Sequence, residues 1–350
     1  MFASYRRQGE TLCSIVVLFL VETSLFEVTL TEGHALGRLR DWPSKIRGRE
    51  RRADDANITS SSATATEAAV TYGDGTTANL RDIFLGRCFE YRCKYCDEDN
   101  QKPIDCLVLW QAFNLSFAYR NECSTSPEDF EAYVNLTFTP LPPHKTLFYS
   151  GMYSIANTMS SLSDDHVNIE RTLLGRLVDA MIFCSQPHAP GINYDRCPVF
   201  DSCTHQTRAS FWAKSSQRFA GESSGDVIVV LDGSRIDGAY RETSFFRSKE
   251  VQNLDPSKVS SLTAYVVHNL DGTITESCVN GSLLDLKQHI EEKGIQFHCI
   301  DNPSITRYIQ CSSDPGHSTC TSCPGSGGVV ITVTWTILFI TCLFQKILIA

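Results

Sequence analysis

The chain has no excess of positive charge: 31 lysines and arginines face 40 aspartates and glutamates in 350 residues, a formal net charge of −9. Without a basic field there is nothing to neutralise a phosphate backbone, so nucleic acid is excluded as an expected partner. No internal repeat is visible, which argues against a solenoid or propeller. No Gly-rich phosphate loop follows a predicted strand, as a dehydrogenase would need. His144 and His166 show no zinc-ligand spacing, so no metal is expected.

Cysteine, by contrast, is abundant, at fifteen residues. Arg6 and Arg7 precede an apolar stretch from Leu12 to Val21 that is short for a bilayer span and shaped like a signal peptide, which sets 1–25 apart. An uncleaved anchor is the alternative. At the other end, Val329 to Phe344 is almost wholly apolar and follows the small residues Ser322, Gly325, Ser326, Gly327 and Gly328. That order resembles a GPI attachment signal over 323–350, with a plain membrane helix stopped by Lys346 as the alternative. Secretion makes the cysteines a disulfide set. Sequons at Asn57, Asn114, Asn135 and Asn280 agree with it. The expected location is the extracellular face of the cell surface.

Residues 26–78 are polar and irregular, basic from Arg38 to Arg52 and rich in Ser, Thr and Ala from Thr59 to Ala69; this reads as a linker or pro-segment. Arg49, Glu50, Arg51 and Arg52 fit a dibasic processing site, or a solvated charge run. From Asp82 the chain is long enough for two lobes around a cleft. Apolar spacing predicts helices over Asp105–Tyr119 and Ile169–Phe183. Val227–Leu231, Leu262–His268 and Ile295–Cys299 are predicted strands. Leu283–Lys293 is a predicted helix, opened by Ser282 with Asp285 three positions on and closed by Gly294. The fold class is α+β: a mainly helical lobe (79–143 and 168–224) and an α/β lobe (144–167 and 225–322) with a small parallel sheet, stapled by disulfides.

One stretch concentrates chemistry. Phe211, Trp212 and Ser216 stand before the apolar run Val227–Leu231, and Ser244, Phe245, Phe246 and Glu250 follow. A stacking aromatic and a carboxylate suit cleavage of a cationic N-glycoside: a pyridinium leaves without protonation, and the barrier is the developing ribosyl oxocarbenium ion, which a carboxylate stabilises. Phe211 reads as core and Trp212 as site.

Taken together, Gly86, Arg87 and Cys88; Asp105, Cys106 and Trp110; Glu170 with Thr172, Leu173, Leu174 and Gly175; Cys197 and Pro198; Phe211 and Trp212; Asp232, usually Asn there, with Gly233 and Ser234; and Glu250, Val251, Asn253 and Leu254 resemble the ADP-ribosyl cyclase / NAD glycohydrolase family of ectoenzymes. The resemblance runs from about Gly86 to Cys320 and bounds a catalytic domain at 79–322. It implies cleavage of the nicotinamide–ribose bond of NAD, with the ADP-ribosyl group passed to water or back onto adenine. NADP is a second candidate substrate, and no cofactor is expected because NAD is consumed.

The resemblance also implies roles. Glu250 stabilises the oxocarbenium ion, Trp212 and Tyr149 sandwich the base, and Glu170 holds the carboxamide from the head of the helix predicted at 169–183. Asp179, within that helix, and Ser216 are further contacts. Much of the family has Trp where Tyr149 stands, and vertebrate-like members have an acid at Arg171 and a phosphate-binding Arg at Gly151; phosphate would then rely on Ser150, Ser244 and backbone donors. Phe245 stands where vertebrate-like members carry a small hydroxyl residue, and 239–246 is closer to molluscan cyclases, so the Phe245 ring is expected to fold adenine toward the ribose, with Phe246 a further substrate contact.

The implied disulfides are Cys88–Cys106, Cys123–Cys203, Cys184–Cys197, Cys278–Cys299 and Cys311–Cys320. A sixth bridge of vertebrate-like members falls at about His144 and Gly225, and both ends are missing. Cys93 and Cys96 are extra. The membrane, through the C-terminal tail, and a second copy in a homodimer complete the expected partners. The alternative function is a cell-surface receptor or adhesion domain that has lost catalysis; the presence of Glu250 speaks against it.

Overall fold

The computed structural model describes residues 70–94, 104–200 and 202–320. A parallel strand covered on both faces must be apolar throughout, and Val227 to Leu231 meets that demand. It forms the centre of β4 (Gly225–Asp232) in a four-stranded parallel sheet. The order is β2 (Leu147–Ser150), β4, β5 (Val259–Val267) and β6 (Gln296–Asp301). A separate strand, β1 (Tyr72–Asp74), pairs antiparallel with β3 (Arg196–Pro198).

Residues 72–78, assigned from composition to the linker, are therefore part of the folded unit: Thr76 N–H donates to Asn193 O and Thr77 N–H to Ile182 O. Pairing with a distant strand supplies the order that local composition lacks.

The helices are α1 (Leu80–Lys94), α2 (Cys106–Phe117), α3 (Glu131–Thr137), α4 (Tyr153–Leu162), α5 (Leu173–Arg176), α6 (Thr207–Gly221), α7 (Val251–Asn253), α8 (Ser282–Glu292) and α9 (Ser304–Ser313). The sheet core gathers Phe148, Val227, Val229 and Leu231 against Phe219, Phe246, Leu283 and Ile290 on one face. On the other, Leu147 and Val230 meet Ile155 and Met159 of α4 and Ile309 of α9. The helical core is built on aromatic rings: Phe113 meets Phe84 at 5.3 Å and Phe183 at 5.1 Å between centroids.

Two local predictions differ from the structure. Ile169–Phe183 is not one helix but a 3-10 turn (Ile169–Arg171), the four-residue α5, and turns. Thr172 takes an extended conformation, its hydroxyl donating to Ile169 O at 2.6 Å and accepting Gly175 N–H at 3.3 Å. Ile169 O lies only 2.3 Å from where a Cβ on Gly175 would stand, so glycine allows that turn to close. Leu173, Leu174, Leu177, Val178 and Met181 are all buried, which mimics a helical stripe in sequence. The second difference is at α8, where the cap residue is Gly281 at φ 61°. The Ser282 hydroxyl instead donates to Glu276 Oε2 and accepts Tyr240 N–H.

All five implied disulfides are present: Cys88–Cys106, Cys123–Cys203, Cys184–Cys197, Cys278–Cys299 and Cys311–Cys320. His144 and Gly225 are neighbours, the imidazole lying 2.6 Å from where a Cβ on Gly225 would be, and His144 Nδ1 accepts Asp226 N–H at 3.0 Å. Cys93 is exposed and unpaired; Cys96 lies outside the described residues. Asn135 and Asn280 are exposed and Asn114 is half-buried, while Asn57 and both terminal apolar segments fall outside. Among the described residues no helix is long and apolar enough to cross a membrane.

Candidate active site

Helix α6 carries Trp212 and Ser216 four positions apart, hence on one face. Phe211 points the other way into the aromatic core, fully buried. Trp212, half-buried, packs against both the helical and the sheet cores and meets Phe211 edge-on at 5.0 Å. Phe211 is thus the core member of the pair, and Trp212 the one left partly exposed.

Glu250 closes a π-helical turn, Phe246–Glu250, which continues into α7. Such turns are rare and widen the helix locally, re-aiming the side chains at their ends. The Glu250 carboxyl is 6 % exposed; its Oε1 accepts the Ser216 hydroxyl at 2.8 Å, and its Oε2 has no hydrogen-bond partner. Ser216 therefore couples the acid to the helix face that presents Trp212.

Strand β2 carries Tyr149, whose hydroxyl donates to Glu170 Oε1. Glu170, 5 % exposed, lies on the 3-10 turn rather than at a helix head, and its Oε2 is also unpaired. Asp179 is outside any helix; Tyr153 donates to both of its oxygens at 3.0 Å. Arg87 Nη1 donates to the Asp179 backbone carbonyl at 2.7 Å, holding that turn. Arg87 was legible only as part of a motif, and Tyr153 gave no signal, because the apolar pattern of its helix conceals a hydroxyl at its first residue.

Other candidates are placed differently. Phe246 is a core residue between Phe148 and Tyr240, at 5.9 and 5.8 Å. The Ser244 hydroxyl donates to Arg241 O and accepts Arg247 N–H, so it caps the π turn. Phe245 is half-buried with its ring edge-on to Phe200 at 5.8 Å. Ser150 is 5 % exposed and its hydroxyl has no partner.

Burial dominates the electrostatics. It pushes the Glu250 carboxyl up to about 8, with the Ser216 bond opposing and the charge of Glu170 adding. It pushes Glu170 up to about 7, against the Tyr149 bond and with help from Asp179. Asp179 is raised by burial too, opposed by Tyr153 and Arg87. Glu250 and Glu170, both buried and each with an unpaired oxygen, favour a cationic ligand, whose charge offsets the cost of their ionisation. The indole face of Trp212 adds an attraction of roughly 0.5 to 2 kcal/mol for a cation stacked on it.

The comparisons agree with this geometry. The family model described as ADP-ribosyl cyclase matches residues 77–320. ADP-ribosyl cyclase/cyclic ADP-ribose hydrolase 2 of Homo sapiens is 33% identical over 248 residues, 71% of this chain and 77% of that protein. ADP-ribosyl cyclase/cyclic ADP-ribose hydrolase of Aplysia californica is 34% identical over 246 residues, 70% of this chain and 87% of that protein. A crystal structure of Aplysia cyclase complexed with substrate NGD and product cGDPR superposes with a TM-score of 0.66 at 32% identity, covering 72% of this chain and all of that one. With its family model, its relatives and its fold in agreement, the chain belongs to the ADP-ribosyl cyclase family.

Proposed function

We propose that the chain is an extracellular enzyme that consumes NAD, cleaving the nicotinamide–ribose bond to release nicotinamide with ADP-ribose, cyclic ADP-ribose or both. The observation that supports this most directly is the buried Glu250 carboxyl, with one oxygen unpaired and the other fixed by Ser216, which stands one helical turn from Trp212 on α6.

In this reading the nicotinamide ring lies against Trp212 and Tyr149, with its carboxamide at Glu170. The bond from C1′ of the ribose to the pyridinium nitrogen breaks, its electron pair neutralises the ring, and positive charge develops at C1′. The ionised Glu250 carboxylate, unable to reach water, stabilises that charge more strongly than it would in bulk solvent. Water adding to C1′ gives ADP-ribose and releases a proton; a ring nitrogen of the adenine adding there gives the cyclic product. Phe245 immediately precedes the π turn that ends in Glu250, and its ring turns the adenine back toward C1′. No metal or cofactor enters these steps.

The ends of the chain support a surface location, with a signal peptide before the domain and a lipid attached near Ser322. The test is to express the full chain in secretory cells, supply NAD outside, and separate the products. Nicotinamide release without ADP-ribose or its cyclic form, or no turnover at all, sinks the proposal. Phosphatidylinositol-specific lipase should free the activity from the cells; activity that stays bound indicates a membrane helix.

A further inference from the structure

The C-terminal edge of the parallel sheet holds an arginine that motif reading did not single out. Parallel strands β2 and β4 end side by side, Ser150 opposite Leu231, at Gly151 and Asp232. Gly151 has φ +73° and no side chain, and Arg235 fills that space: its Cδ and Nη1 lie 3.5 and 3.8 Å from where a Cβ would stand. The guanidinium is fixed along one edge, with Nε donating to Asp237 Oδ1 at 2.7 Å and Nη2 to Oδ2 at 2.9 Å. Asp237 also lies 3.8 Å from Arg241 Nη1, so two guanidinium groups share one carboxylate. Arg235 is only 14 % exposed, and its orientation is set before any ligand arrives.

The residue before Gly151 is Ser150, whose buried hydroxyl has no partner. Side chains alternate along a strand, so Ser150 shares a face with Phe148, which packs on Phe246 at the head of the π turn ending in Glu250. Ser150 thus adjoins Gly151 in the chain and shares a face with a residue packed on the turn that carries Glu250. A dinucleotide presents a cation at one end and, beyond the ribose, two phosphates. The acids Glu250, Glu170 and Asp179 suit the first and repel the second; a planar guanidinium suits the second.

We propose that Arg235, held in place by Asp237, anchors the diphosphate of the substrate, with the Ser150 hydroxyl as the second donor. This rests on the NAD-consuming reading and assigns its diphosphate contact to a residue outside the motifs above.

The experiment uses the full chain and two inhibitors of NAD turnover: ADP-ribose, which carries the diphosphate without the pyridinium, and nicotinamide, which carries no phosphate. In Arg235→Ala the inhibition constant of ADP-ribose rises about tenfold or more, that of nicotinamide stays within about twofold, and the loss for NAD falls on KM rather than kcat. Arg235→Lys keeps the charge without the fork and gives an intermediate value. Equal weakening of both inhibitors, or of neither, overturns the proposal. Inorganic pyrophosphate should compete with NAD on the unaltered chain whatever the variants' folding, and failure to compete counts against it. If the unaltered chain does not turn over NAD, the enzymatic reading fails instead, while ADP-ribose binding by calorimetry still reports on Arg235.

Discussion

The two halves of the folded unit are built from different materials. The helical core is a cluster of interlocking rings around Phe113 and Phe211, fastened by Cys88–Cys106, Cys123–Cys203 and Cys184–Cys197. The sheet core is mainly aliphatic, threaded by parallel strands, with Cys278–Cys299 and Cys311–Cys320 at its margin. Neither half holds the candidate site alone. Trp212, Ser216, Glu170 and Asp179 come from segments that pack largely on the rings, whereas Glu250, Tyr149 and Ser150 come from strand ends and the π turn of the sheet. Two cores of independent composition can each be stable, and chemistry arises only where they meet.

The strongest way to break this division is at its contact. Glu250→Gln should keep the fold and lower kcat about 10⁴-fold, or roughly 5.5 kcal/mol, measured by nicotinamide release. The same variant should melt higher at pH 9, on the order of 5 °C, because it removes a buried ionisable group. Undiminished kcat would dismiss Glu250 from its role.

Next in size is the contrast between disulfides. Cys123–Cys203 spans 80 residues in the ring-rich half and Cys311–Cys320 spans 9 at the sheet margin. Loop-closure entropy predicts losses of about 4.5 and about 2.6 kcal/mol on removing each, measured by denaturant unfolding. Equal losses would show that native contacts, rather than chain entropy, set the difference.

A smaller effect is the dependence on pH. The folded values of Glu170 and Glu250, about 7 and about 8, lie above their ordinary 4.5. The folded state therefore holds protons that the unfolded chain has released, so this stabilisation is complete below about pH 4.5 and is lost as pH rises through 7 and 8. Catalysis needs the opposite form, so kcat/KM for NAD should fall as pH drops from 8 to 6 while thermal stability increases. The two acids titrate as a coupled pair. A profile flat across that range would mean that both acids are ionised in the free protein.

The smallest expected effect is in product choice. Phe245→Thr should lower the cyclic share about two- to fourfold, a difference of less than ~1 kcal/mol in partitioning, read by chromatography. An unchanged share would remove Phe245 from the control of ring closure.

Much of this was legible beforehand. Val227–Leu231, the centre of β4, is a fully apolar run because both faces of a parallel sheet are covered. The disulfides followed from the family resemblance, and the neighbouring positions of His144 and Gly225 match the bridge that both lack. Glu250 and Trp212 were identified together. Other residues misled for a common reason. In 169–183 apolar residues are buried all round, which spacing alone reads as a helical stripe. Ser244 and Ser282 look like ligands or caps, and their hydroxyls are taken by backbone groups and Glu276. Phe246 differs from Phe245 only in facing the core, and a π turn decides which ring does so.

By itself the sequence determined the apolar strands of the sheet and set an acid and an indole in one stretch of chain, because each depends on residue type and local order, while the disulfide pairs came from the family resemblance. The tertiary structure alone decided which oxygens go unpaired, that Arg235 lies against Gly151, that 72–78 joins the folded unit, and how far burial raises Glu250. Those properties depend on what surrounds a group in space, and its surroundings here come from segments as distant in the chain as Tyr149, Trp212 and Glu250.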